Sequence, residues 1–172
     1  MIFGDPYKFA IQFDFVNDWI GLDGEGIFSL IVNGNYHPDY LPNQSITILD
    51  CFDSLNYKIY NLENKRNNDE LFNLNKDLSF KKMNLLLENL HVIDEVTKFF
   101  EESVLDIPEI MTNKNYIWIL YSMNSEKIIF RNSKGMVEEL IFNRGYCYSV
   151  IYSALKWAKK YYSSSGMFDN IV

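Results

Sequence analysis

Two histidines, two cysteines and a few adjacent carboxylates are the residues of this chain whose types could do chemistry. His37 and His91 lack carboxylates or cysteines at the close spacings used by zinc motifs, so they read as a loop residue before Pro38 and a side chain at a helix junction. Cys147 follows Gly145 at an expected helix start, where the backbone dipole favours a thiolate nucleophile. Such a thiol needs a histidine base. The papain-like order places that base after the cysteine, and no histidine follows residue 91. Cys147 therefore reads as a small core residue among Tyr146, Tyr148 and Val150. In residues 18–26, Asp23-Gly24-Glu25-Gly26 offers oxygen donors and turn glycines, but Ile20 and Leu22 stand where a calcium loop needs oxygen ligands. That segment reads as a strand connection. Glu101 and Glu102, and likewise Glu138 and Glu139, are neighbours in sequence. Neighbours on regular elements diverge, so their default reading is solvated surface, not an acid/base pair. No dinucleotide fingerprint, phosphate-binding loop or nucleophile elbow is present, and no metal or cofactor is expected.

The elements that must position these residues follow from periodicity. In residues 7–15 the odd positions are Tyr7, Phe9, Ile11, Phe13 and Phe15, with Lys8, Gln12 and Asp14 between them, the period of a half-buried strand. Residues 27–32 form a second strand ending at Asn33-Gly34, a dipeptide suited to a two-residue hairpin turn. A third β-rich run spans 46–52. Leu55, Ile59 and Leu62, then Phe80, Met83, Leu86, Leu87 and Leu90, keep helical spacing. Residues 63–76 have no firm period and suit a loop around a short helical piece. Val92, Ile93, Val96, Phe99, Phe100 and Val104 make an apolar stripe, with Asp94, Glu95, Lys98, Glu101 and Glu102 on the opposite face. Three further strands follow at 116–121, 127–130 and 137–142. A final helix carries Tyr146, Val150, Ile151, Ala154, Trp157, Ala158 and Tyr161, with Lys156, Lys159 and Lys160 near its C-terminal end and a Ser-Gly tail after it. The expected fold is α+β: one domain over residues 1–172, mainly an antiparallel sheet of about six strands packed against several helices, with the strand at 7–15 central.

Composition narrows the function. Sixteen basic residues against 23 acidic leave a net charge of −7, which disfavours nucleic acid as a partner and suits a basic one. Residues 1–57 hold eight carboxylates against Lys8 alone, and residues 92–110 hold six against Lys98. The apolar runs are far shorter than the ~20 residues of a membrane span. The N-terminus has neither the basic region nor the apolar core of a secretory signal, so a cytoplasmic location is expected, with Cys51 and Cys147 unpaired.

The opening Met1-Ile2-Phe3-Gly4-Asp5-Pro6-Tyr7-Lys8-Phe9-Ala10-Ile11-Gln12-Phe13 resembles that of the bacterial immunity protein 42 family. Trp19, Gly26-Ile27-Phe28 and Ile31-Val32-Asn33-Gly34 extend the likeness over the first quarter of the chain. The resemblance implies an antidote to a polymorphic toxin, often one delivered by contact-dependent growth inhibition, that binds the toxin's C-terminal domain in the cytosol. It carries no partner-contacting residue onto this chain. Those come from charge: Asp94, Glu95, Glu101 and Glu102 on one helix face, with Asp23 and Glu25 second, are the candidates to meet a basic toxin such as a nuclease. The competing readings are a small carboxylate-dependent hydrolase on the same fold and a regulatory binding module.

Overall fold

The computed structural model describes residues 1–16, 25–38, 46–63, 67–87, 94–105, 107 and 116–162. The N-terminal alternation forms β2 (Phe9–Phe15), with Phe9, Ile11 and Phe13 on a buried face. Tyr7 departs from the expected core stripe and is 80% exposed, because residues 5–8 turn the chain before the strand begins. On one side of β2 lies the short β1 (Ile2–Gly4), and on the other β3 (Glu25–Val32), both antiparallel to it. β2 is therefore interior, as its apolar pattern predicts. β4 (Asn35–His37) returns through Asn33-Gly34, whose φ angles of 50° and 74° are the pair of positive values that a tight hairpin requires. β5 (Ile46–Thr47) pairs with the start of β3 and completes a five-stranded sheet.

The β-rich reading of 46–52 is corrected after two residues, for α1 (Ile48–Glu63) begins at Ile48. Ile48, Cys51, Phe52, Leu55 and Ile59 recur every three or four positions and all are buried in one cluster. Helical burial thus overrides the local β-branched preference. Gly26 lets this helix come close, since a Cβ there would collide with the Asp14 carbonyl oxygen and with Ile48 Cδ1. Next come α2 (Asp69–Phe72), the short helical piece expected in 63–76, then α3 (Lys76–Leu87) and α4 (Asp94–Ser103). The C-terminal meander is β6 (Trp118–Tyr121), β7 (Ser125–Arg131) and β8 (Val137–Asn143), followed by α5 (Tyr146–Tyr162).

The α+β class, the antiparallel pairing and the covering helices are those the periodicity predicts. The strands divide, however, into sheets of five and three where one sheet of about six was expected. The reason lies in β6 and β7, which are buried on both faces. Ile119, Ile128 and Phe130 join a large core with β1–β3, α1 and α5, while Trp118, Leu120 and Ile129 join a smaller one with Leu71, Phe80 and Met83 from α2 and α3. A strand apolar on both faces needs a layer on each side, so the meander lies between layers and does not extend the first sheet. At the centre of the large core, Phe13 is 5.5 Å from Phe3, 4.7 Å from Phe52 and 5.6 Å from Trp157 by ring centroids. No helix among the described residues is long and apolar enough to cross a membrane.

Candidate functional site

The acidic helix is built from its buried side outward. In α4, Phe99 and Phe100 lie 6.3 and 6.1 Å from the fully buried Trp118, and Phe100 also meets Tyr116 edge-on. These contacts fix which face turns outward. The chain then leaves the helix straight into the sheet, as Val104 bridges Trp118 and the Leu105 N–H donates to the Ile117 carbonyl at 2.9 Å. Lys58, a buried residue of α1, donates from Nζ to the Glu101 carbonyl oxygen in the last turn of α4. A cation there complements the negative end of the helix dipole and fastens α4 to α1.

On the outward side, Glu101 is exposed, and Glu102 is half-buried with Oε1 4.0 Å from Lys98 Nζ one turn away. That solvated pair contributes at most a few tenths of a kcal/mol. Asp94 and Glu95 open the same helix at spacings that return them to the Lys98, Glu101 and Glu102 side, while their side chains lie outside the described residues. Asp23 also lies outside them, as do Trp19, His91 and the tail at 163–166. Glu25 is the first residue of β3, half-buried opposite Thr47, and no described hydrogen bond or ion pair joins it to α4. One candidate patch is thus a helix face, and the other is the far end of a sheet.

The remaining candidates have structural roles. His37 ends β4 as a buried residue, its ring edge-on to Phe130 at 5.5 Å, and is not a loop side chain. Cys147 is fully buried in the large core beside Val150 and Ile151. Glu138 and Glu139 point to opposite sides of β8, one engaging Asn33 and Asn132, the other 3.1 Å from Lys127 Nζ. Among the described residues, no three of His, Cys, Asp and Glu are grouped as metal ligands would be.

Two charged residues that periodicity does not single out prove central. Glu126 is 1% exposed, and its carboxylate accepts the backbone N–H groups of Gly145 and Cys147. It caps the start of α5 from inside the core. Burial first, and then the charges of Cys147 and Glu126, push the neighbouring Tyr121 phenol well above its usual range, opposed by Arg144. On the other face, Lys127 reaches Glu139, donates to the Leu74 carbonyl at 3.2 Å and lies 5.2 Å over the Phe72 ring. The signal was two charges inside an otherwise apolar strand.

Two antiparallel sheets, helices on both sides of the meander and an outward acidic helix describe a class of small α+β protein seen before. The same fold occurs in the crystal structure of CdiI from Burkholderia dolosa AUO158, with a TM-score of 0.69 and 17% identity, covering 91% of this chain and 99% of that one. The chain belongs to the immunity protein 42 family, whose model matches residues 1–157, and is a toxin-neutralising immunity protein. No curated protein matches it.

Proposed function

We propose that the chain acts as one domain in the cytosol and neutralises the toxin domain encoded next to it without catalysis, by covering that domain through shape and charge. The family match over residues 1–157 carries this reading. The net charge of −7 supports a basic partner, for instance a nuclease whose groove is shaped for phosphates. In this reading Asp94, Glu95, Glu101 and Glu102 on α4 occupy such a groove in place of phosphate charge, with Asp23 and Glu25 as a second contact. Helix α4 is suited to the task because Lys58 and the Trp118 contacts hold its backbone in place before the partner arrives.

The test is co-purification with the adjacent toxin domain, a toxicity assay, and titration at low and high salt. Stoichiometric binding that abolishes toxicity and weakens steeply with salt is the expected result. Reversing Glu101 and Glu102 to lysine should slow association and flatten that salt dependence. Tight binding indifferent to salt would remove the acidic contact and keep the immunity function. Absence of binding would overturn the toxin-covering reading itself.

A further inference from the structure

Strand β8 is an outer strand of the three-stranded sheet, with β7 on one side of it. The turns that flank β7 settle which way its backbone groups point. The Ser122 N–H donates to the Ser125 carbonyl at 2.9 Å, which sets the alternation between β6 and β7. The Asn132 N–H donates to the Met136 carbonyl at 2.9 Å and the Arg144 N–H to the Asn124 carbonyl at 3.0 Å, which set it between β7 and β8. Glu138, Leu140 and Phe142 therefore turn their peptide groups towards β7, opposite Phe130, Ile128 and Glu126. Val137, Glu139, Ile141 and Asn143 turn theirs away from the sheet. No backbone hydrogen bond joins those outward groups to another described residue.

An open edge is a template for a further strand, and soluble proteins blunt it with Pro, Lys or a bulge. The sequence Val-Glu-Glu-Leu-Ile-Phe-Asn of β8 has no Pro or Lys, and its pairing with β7 runs without a bulge. Its two charges are engaged within the chain, since Glu138 accepts from Asn33 and Asn132 and Glu139 lies beside Lys127. The edge thus offers peptide groups and the 57% exposed Ile141, with no free carboxylate to draw a basic strand. Its complement is a strand of the same kind.

β8 can meet its own copy in few ways. Side chains of one sheet face must lie opposite one another, so in an antiparallel pair the twofold axis passes through a residue. At Glu139 it would set two carboxylates face to face, and at Ile141 it would leave Val137 without a partner. At Leu140, Val137 meets Asn143 and Glu139 meets Ile141, so all four outward residues of each copy are paired and no carboxylate opposes another. We propose that two copies of this chain pair antiparallel through β8 about an axis at Leu140, joining two sheets of three strands into one. Helix α4 packs on Trp118 of β6, at the opposite side of the sheet, so pairing leaves the acidic face of both copies open. Each copy carries a net charge of −7, and salt screens their repulsion without weakening the peptide pairing. Self-pairing therefore tightens as salt rises, the opposite of the dependence expected for a basic toxin.

The test is sedimentation velocity of the full chain over a range of concentration and salt, with residue-resolved amide exchange by NMR. A reversible dimer favoured by salt is expected, with slower exchange at Glu139 and Ile141 as concentration rises and no change at Leu140. Ile141→Glu places a carboxylate opposite Glu139 twice across the axis and should weaken dimerisation about tenfold or more. Ile141→Lys places an ammonium there and should retain the dimer. Ile141 is exposed, so the unfolding midpoint of both variants should stay at the wild-type value. A chain that stays monomeric at every concentration and salt would overturn the proposal, as would a dimer indifferent to Ile141→Glu. Equal loss in both variants would overturn the axis at Leu140. Protection of the outward amides only on adding the toxin domain would give the edge to a toxin strand and overturn self-pairing.

Discussion

The two faces of the three-stranded sheet are held by different chemistry. Towards the first sheet, Ile119, Ile128 and Phe130 meet an almost wholly apolar core, and a buried charge in the contact, Glu126, is consumed by backbone N–H groups. Towards α2 and α3, the apolar cluster is smaller and is threaded with cations: Lys127 over Phe72, and Arg131 5.2 Å over Phe80. The first face is a packing problem with few solutions. The second trades area for directed polar contacts, which define how the outer helices sit while adding less to stability.

The contrast is most severely tested by removing aromatic volume on each side. Phe13→Ala should cost about 3–5 kcal/mol in urea unfolding, because Phe3, Phe52 and Trp157 all lose a partner and the site is too deep to refill. Phe80→Ala in the smaller cluster should cost clearly less, and equal costs would dissolve the distinction. Next in size is Glu126→Gln, which keeps one acceptor for the start of α5 but loses the charge and misplaces an amide donor. A loss of about 1–3 kcal/mol is expected, with faster exchange of the Gly145 and Cys147 amide protons. By contrast, Lys127→Met should cost about 1–2 kcal/mol, because the Glu139 carboxylate it leaves is partly exposed and regains water, while the Leu74 carbonyl loses its donor. A large loss there would show that the second face is as exacting as the first.

The smallest effect belongs to the outermost layer. The Lys82 ammonium, hydrogen-bonded at 2.9 Å and acting also through its charge, holds the Glu70 carboxyl below its ordinary value. A lowered folded-state value means the contribution is present above the ordinary carboxylate range and lost as pH falls through that lowered value. The pair joins α2 to α3 in full solvent, so the acid unfolding midpoint should not move in Lys82→Ala. The Glu70 titration followed by NMR should return upward to the ordinary range.

Much of this architecture was legible from spacing. The alternation at Phe9, Ile11 and Phe13, the Asn33-Gly34 turn, the stripe through Phe99 and Phe100 and the recurrence from Tyr146 to Ala158 each report a single buried face, which is what periodicity encodes. Ile46 and Ile48 misled, because a β-branched start is compatible with a helix whose next turn, Cys51 and Phe52, is buried. The division into two sheets was hidden for another reason. A strand apolar on both faces says that two layers exist but not which elements supply them. The acidic residues of α4 were legible as a face, yet nothing local distinguishes a partner-binding face from a solvated one. The tie between the Asn33-Gly34 turn and β8 was illegible altogether, for it is made by Glu138 meeting Asn33, residues with no common local pattern.

Helix α5 covers the strands that were made first. Trp157 lies 5.9 Å from Phe3 and 5.6 Å from Phe13, so α1, through Phe52, can cover part of the aromatic face of β1 and β2 early, but the rest of the cover comes only with α5. At roughly 5–20 residues per second, the stretch from Phe13 to Trp157 takes about seven to thirty seconds to translate, and until then that side of the face is left open to water or to the chaperones that bind such surfaces. The complete aromatic core therefore cannot close before α5 has been made, however early its strands are ready.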